Sequence, residues 1–127
     1  MEERIRFISH KGQRILLIDL SDCSADEVTA AARLVPSYTA SEPRGSLLLL
    51  ADFTFAKFDK TTLTALKEAT AYTRPYLKRS AWVGAESLPK VFYNNIQSFS
   101  RRTLPTFRTR EEALEYLLTE EPASAAS

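Results

Sequence analysis

The stretch Ser46-Leu47-Leu48-Leu49-Leu50-Ala51-Asp52 decides how the rest of the chain is read. Its apolar residues run without interruption from Leu47 to Ala51, so they do not alternate as in a strand with one wet face. The run is too short for a buried helix, and Pro43 and Gly45 stand just before it. It fits a strand covered by helices on both faces, as at the centre of a parallel sheet.

Toward the N-terminus, β-prone segments Arg4–Ser9 and Arg14–Leu20 flank His10-Lys11-Gly12-Gln13, which predicts an antiparallel hairpin with Gly12 at a positive φ. Ser24 followed by Glu27 is a capping box, and Val28, Ala31, Ala32 and Val35 trace one helical face that Pro36 should end. Residues Ser37–Gly45 read as loop. Toward the C-terminus, Phe53–Phe58 lead to Asp59 as an N-cap, and Leu63, Leu66, Thr70, Thr73 and Leu77 form the inner stripe of a second helix. Pro75 should kink or break its last turn. Ala81–Ala85 reads as a short strand ending at Gly84. A third helix, capped by Glu86 or Ser87, carries Leu88, Val91, Phe92, Asn95, Ile96 and Phe99 on one face and ends at Arg101-Arg102. Pro105–Arg108 is a final strand. Thr109 and Glu112 form a second capping box for a helix that buries Ala113, Leu114, Leu117 and Leu118.

Strands alternating with helices imply parallel pairing and right-handed crossovers. The expected architecture is α/β: a five-stranded mixed, mostly parallel sheet with an N-terminal β-hairpin and four helices. It forms one domain over residues 1–119, followed by a flexible tail over 120–127.

The chain has 127 residues, 44% of them hydrophobic, which suits a single folded core. With 17 basic residues against 16 acidic ones it lacks the basic excess of a dedicated nucleic-acid binder. A lone cysteine, Cys23, excludes an internal disulfide and suits a reducing compartment. The charged start MEERIRF carries no signal-peptide run, and no apolar stretch is long enough to span a membrane, so a cytoplasmic location is expected.

The apolar strand LLLLADFTFAKFD with helix TLTALKEA, the segment RSAWVGAESLPKVFYNNIQSF and the ending PTFRTREEALEYLL together resemble the SpoIIAA-like (STAS, or STAS/SEC14-like) family of small bacterial proteins, related to anti-sigma-factor antagonists. The likeness spans roughly Ile5 to Leu118. It implies a non-catalytic regulatory or protein-binding module that forms a homodimer. The SEC14-like side of the resemblance implies the alternative of a carrier for a lipid or small apolar ligand. In such proteins a Ser in an Asp-Ser-Ser-Gly pattern after the central strand is phosphorylated. Here Asp52-Phe53-Thr54-Phe55 stands there, and Thr54 offers the nearby hydroxyl.

In open parallel sheets, ligands gather beyond the carboxyl ends of the strands, where helix N-termini also point. That edge should carry Asp52, Phe53, Thr54, Phe55 and Lys57, with Gly84, Ala85, Glu86 and Ser87, as a surface for a protein partner or an apolar ligand. The alternative is a set of capping loops whose aromatics close the core. Tyr72, Tyr76 and Tyr93 could border the same surface or be ordinary half-buried helix residues. No catalytic constellation is expected. His10 is the only imidazole and sits in a turn, while Cys23 reads as a small buried residue. A zinc site needs more ligands than one His and one Cys, and glycines at 12, 45 and 84 make no phosphate loop. The carboxylates Asp19, Asp22, Asp52, Asp59 and Glu86 lie near strand ends without a spacing that demands acid–base chemistry. Lys78, Arg79, Arg101, Arg102, Arg108 and Arg110 read as helix-end charges on a solvated face. No cofactor and no metal are expected.

Overall fold

The computed structural model describes residues 4–88, 90, 94 and 105–119. The strands are β1 (Ile5–His10), β2 (Gln13–Asp19), β3 (Leu47–Asp52), β4 (Leu77–Val83) and β5 (Thr106–Phe107). The helices with described bounds are α1 (Ala25–Thr39), α2 (Lys60–Thr73) and α3 (Arg110–Leu118). The five strands lie in chain order, β1-β2-β3-β4-β5, in one sheet. β1 pairs with β2 antiparallel, and the other neighbours are parallel. The mixed α/β sheet is therefore as the sequence implied. Three α-helices, rather than four, are found among the described residues. Of the helix expected over 88–99, Lys90 and Asn94 are helical, and its remaining residues after Leu88, like the pair Arg101-Arg102, lie outside the described residues.

β3 is the middle strand, and all six of its residues are buried. Leu47, Leu49 and Ala51 pack toward α1 and α2 with Leu16, Ile18, Phe53 and Trp82. Leu48 and Leu50 pack on the opposite face with Ile15, Leu17, Ala81 and Val83 against Ala113 and Leu117 of α3. The unbroken apolar run follows from this double covering.

Local signals explain most boundaries. Lys11 and Gly12 both have positive φ, 50° and 81°, as a two-residue hairpin turn of right-handed strands requires. Both arms of the Ser24–Glu27 capping box are present. At α3 only half of the expected box forms: Thr109 Oγ1 accepts from Glu112 N, but its hydroxyl, rather than its backbone N–H, meets the Glu112 carboxylate.

Two expected boundaries are corrected. Pro36 does not stop α1, which continues to Thr39. Proline removes one backbone donor there, but the next turn is retained because Thr39 is fully buried and Ala40 N donates to Pro36 O. Leu77 belongs to β4 rather than to α2. Pro75 ends the helix as expected, through a 3-10 turn over Arg74–Tyr76, and the chain turns directly into a strand four residues earlier than the sequence suggested.

Gly84 follows β4 with φ 71°, and a Cβ there would lie 2.6 Å from the Thr54 backbone nitrogen. Gly45 has a similar φ of 69° but open space around it. Gly84→Ala should therefore cost about 3 kcal/mol or more, since strain and a backbone clash add, and Gly45→Ala about 1 kcal/mol. Urea unfolding of the two variants checks this difference.

Candidate functional site

The carboxyl edge of the sheet is built from two copies of one turn. Asp19-Leu20-Ser21-Asp22 follows β2, and Asp52-Phe53-Thr54-Phe55 follows β3. Asp19 and Asp52 are register neighbours across the parallel pair. Asp19 Oδ1 accepts from Ser21 N and Oγ at 3.2 and 2.6 Å. Asp52 Oδ1 accepts from Thr54 N and Oγ1 at 3.0 and 2.6 Å. Leu20 and Phe53 are both buried, and Asp22 and Phe55 both have φ 58°.

Backbone hydrogen bonds carry the sheet pairing through these turns. Leu20 N donates to Asp52 O, Asp22 N to Thr54 O and Phe53 N to Val83 O, at 2.8–2.9 Å. Gly84 N reaches Phe107 O at 3.2 Å. The crevice described for open α/β sheets arises where the strand order reverses. This sheet runs in chain order, so successive loops stay side by side and lock together as a surface.

Arg110, the first residue of α3, ties the two turns. Its Nε donates to Asp52 Oδ2 at 2.7 Å, and its Nη2 lies 2.9 Å from Asp19 Oδ1. Burial alone would raise the Asp19 pKa. The Ser21 hydroxyl and N–H and the Arg110 guanidinium outweigh it and hold the carboxyl below its ordinary value. Burial likewise disfavours the Arg110 cation, but Asp52 and Asp19 raise its pKa. Arg110 was expected to be a solvated charge, and that reading is corrected. Arg79 is corrected too: it is buried on β4, and its Nη1 donates to the carbonyls of Tyr116, Leu117 and Thr119 at the end of α3. A signal for Arg110 exists in the sequence, because a cation in the first turn of a helix opposes the dipole and calls for an acidic partner.

The nine residues singled out from sequence separate into distinct roles. Asp52 is 5% exposed, and its oxygens are engaged by Thr54 and Arg110. Phe53 is buried, with ring centroids 4.7 Å from Trp82 and 5.9 Å from Phe58. The Thr54 hydroxyl donates to Asp52, and its backbone crowds Gly84. Phe55 is 73% exposed, and Lys57 is exposed on the same loop. Ala85–Ser87 form a 3-10 turn. Ala85 and Glu86 line an open depression of about 410 Å³ with Leu88, Lys90 and Thr106, apart from the 52–57 loop.

Tyr72 and Tyr76 stack with centroids 6.1 Å apart, but they lie where α2 ends and β4 begins, at the opposite edge of the sheet from Phe55. Tyr93 lies outside the described residues. Cys23 is buried beside the carboxyl edge, and burial pushes its thiol pKa up. His10 stands at the hairpin end of β1, at the far edge. No group of three or more His, Cys, Asp or Glu suited to a metal is found among the described residues. No described helix is long and apolar enough to cross a membrane.

The chain matches no protein-family model, and no curated protein is similar to it.

The depressed Asp19 pKa fixes a sign. A carboxyl that is more acidic when folded binds fewer protons than in the unfolded chain, so stability rises with pH. Its contribution is complete above the unfolded pKa of about 3.9 and is lost as pH falls through the folded value. Asp19→Asn should lower the urea midpoint at pH 7 and flatten its acid dependence below about pH 5. Residual slope should come from Glu27 and Asp59, whose pKa values are lowered by the Ser24 and Thr62 hydrogen bonds. Arg110→Met should cost about 2 kcal/mol at pH 7, because it leaves the buried Asp52 carboxylate without its cation.

Proposed function

We propose that this chain is a non-catalytic, protein-binding regulatory module of the STAS kind, and that it contacts its partner through the carboxyl-edge surface centred on Phe55. The observation that carries the reading is the contrast between Phe55 and Asp22. The two residues occupy the same position of the same turn, both at φ 58°. Asp tolerates the left-handed region, whereas a bulky residue there is an outlier. The β2 turn therefore forms with an ordinary residue at this point, and the β3 turn holds a strained aromatic outward at 73% exposure. Backbone strain held at an exposed bulky residue that the turn does not require is the observation from which we infer a contact role. Exposed aromatics also supply much of the binding energy in protein interfaces.

The polar groups of the edge support the non-catalytic part of the reading. Asp52 and Asp19 accept from their own turns and from Arg110, so their hydrogen-bonding capacity holds loops together. The Thr54 hydroxyl is given to Asp52, which argues against its serving as a phosphate acceptor in this conformation. The carrier alternative has less support: a ligand pocket of roughly 300–1,000 Å³ encloses most of its occupant, whereas the apolar cavity between sheet and helices measures about 50 Å³ and the depression of about 410 Å³ beside Ala85 and Glu86 is open to solvent.

Phe55→Gly relieves the left-handed strain and removes the ring. It should raise stability by about 1 kcal/mol while abolishing retention of the partner by the immobilised chain. A loss of stability in Phe55→Gly would show the ring to be part of the core and would defeat the proposal. So would undiminished partner retention.

A further inference from the structure

Between α2 and the sheet lies a cavity of about 50 Å³, walled chiefly by Leu49 and Ala51 of β3, Ser80 and Trp82 of β4, and Leu66 and Ala69 of α2. Strand alternation turns Ser80 and Trp82 to this side and Ala81 and Val83 to the α3 side. Ser80 is 3% exposed. Its Oγ is the buried side-chain polar atom without a hydrogen-bond partner among the described residues. The other hydroxyls on the wall are engaged, since Thr70 donates to Lys67 O at 3.0 Å and Thr73 to Ala69 O at 2.8 Å.

A buried, unpaired hydroxyl is costly, and an alanine would fill the same place without that cost. The cavity exceeds the roughly 10–15 Å³ that one water takes, but a buried water wants two to four polar partners. The wall offers one unengaged hydroxyl amid aliphatic and aromatic carbon. No Asp, Glu, Lys, Arg or His lines it, so a charged ligand would be buried uncompensated. The volume also falls short of the roughly 150 Å³ of a cavity that accepts benzene.

We propose that this cavity is a binding site for a small neutral molecule of a few heavy atoms, apolar except for one hydrogen-bonding group that pairs with Ser80 Oγ. The half-buried Thr70 and Leu77 stand at the side nearest solvent, which places entry along the seam between α2 and β4. Leu20 and Phe53 of the edge turns line the cavity but Phe55 does not, and the proposal does not depend on the protein-binding reading.

Trp82 is the only tryptophan of the chain and stands on the cavity wall, so its emission reports occupancy. The full chain is titrated with ethanol, three heavy atoms with one hydroxyl, as the probe. A saturable change in Trp82 emission with a midpoint in the millimolar range is expected. Ser80→Ala should weaken binding about tenfold, the loss of one hydrogen bond. Ala69→Leu fills the cavity from the helix and Ser80→Val from the strand. Whichever of the two is folded by circular dichroism should lose the saturable change. Phe55→Gly should retain it, which separates this site from the partner surface. A change that stays linear in ethanol overturns the proposal. So does saturation that survives in a folded filling variant, or equal affinity in Ser80→Ala.

Discussion

The fold depends on β3 being buried on both faces. A strand with no wet face needs cover on each side, and the chain supplies it unequally. On one side α1 and α2 pack together over Leu47, Leu49 and Ala51. On the other, the cover among the described helices is the nine-residue α3, with Ala113 and Leu117 fully inward. A helix of that length is unstable alone. It is held because both of its ends are fastened to the sheet: Arg110 reaches Asp52 and Asp19 at the first turn, and Arg79 reaches the last carbonyls. Arg79 stands at the favourable pole of the helix dipole and Arg110 at the unfavourable one. The two carboxylates therefore do more than pair with a cation. They reverse the sign of the field that it meets.

The same carboxylates give the carboxyl edge its shape. Each ends a strand, accepts from the hydroxyl and N–H two residues on, and so imposes an identical turn on two neighbouring strands. Because the strands run in chain order, the turns lie side by side, and Gly84 lets the β4 loop close onto Thr54 with no room for a side chain. Backbone hydrogen bonds thus join the β2, β3 and β4 turns into one continuous edge.

How much of this could be read from the sequence follows from what each signal reports. Leu47–Ala51 reports burial directly, so β3 and its central place were legible. The hairpin was legible because Gly12 marks a backbone need. Pro36 misled because proline reports only the loss of one donor, and the burial of Thr39 three residues later is a tertiary matter. Leu77 misled because it keeps helical spacing from Thr73, and nothing local shows that Pro75 hands the chain straight to a strand. At the edge, the repeat of Asp-Leu-Ser-Asp in Asp-Phe-Thr-Phe was available in the sequence. Its meaning needed the register that sets Asp19 beside Asp52, and Arg110 lies 58 residues from Asp52 along the chain.

Phe53 and Phe55 show why composition alone could not assign the edge. Two residues apart in an extended chain, they would point the same way and both would enter the core. Instead Phe53 closes the core against Trp82 and Phe58, and the left-handed conformation at position 55 turns the second ring to solvent. The outward direction is thus bought with backbone strain rather than inherited from strand geometry. A residue chosen only to close the turn would be Gly, Asn or Asp, as Asp22 illustrates one strand away. At position 55 a phenylalanine stands in that conformation instead, 73% exposed.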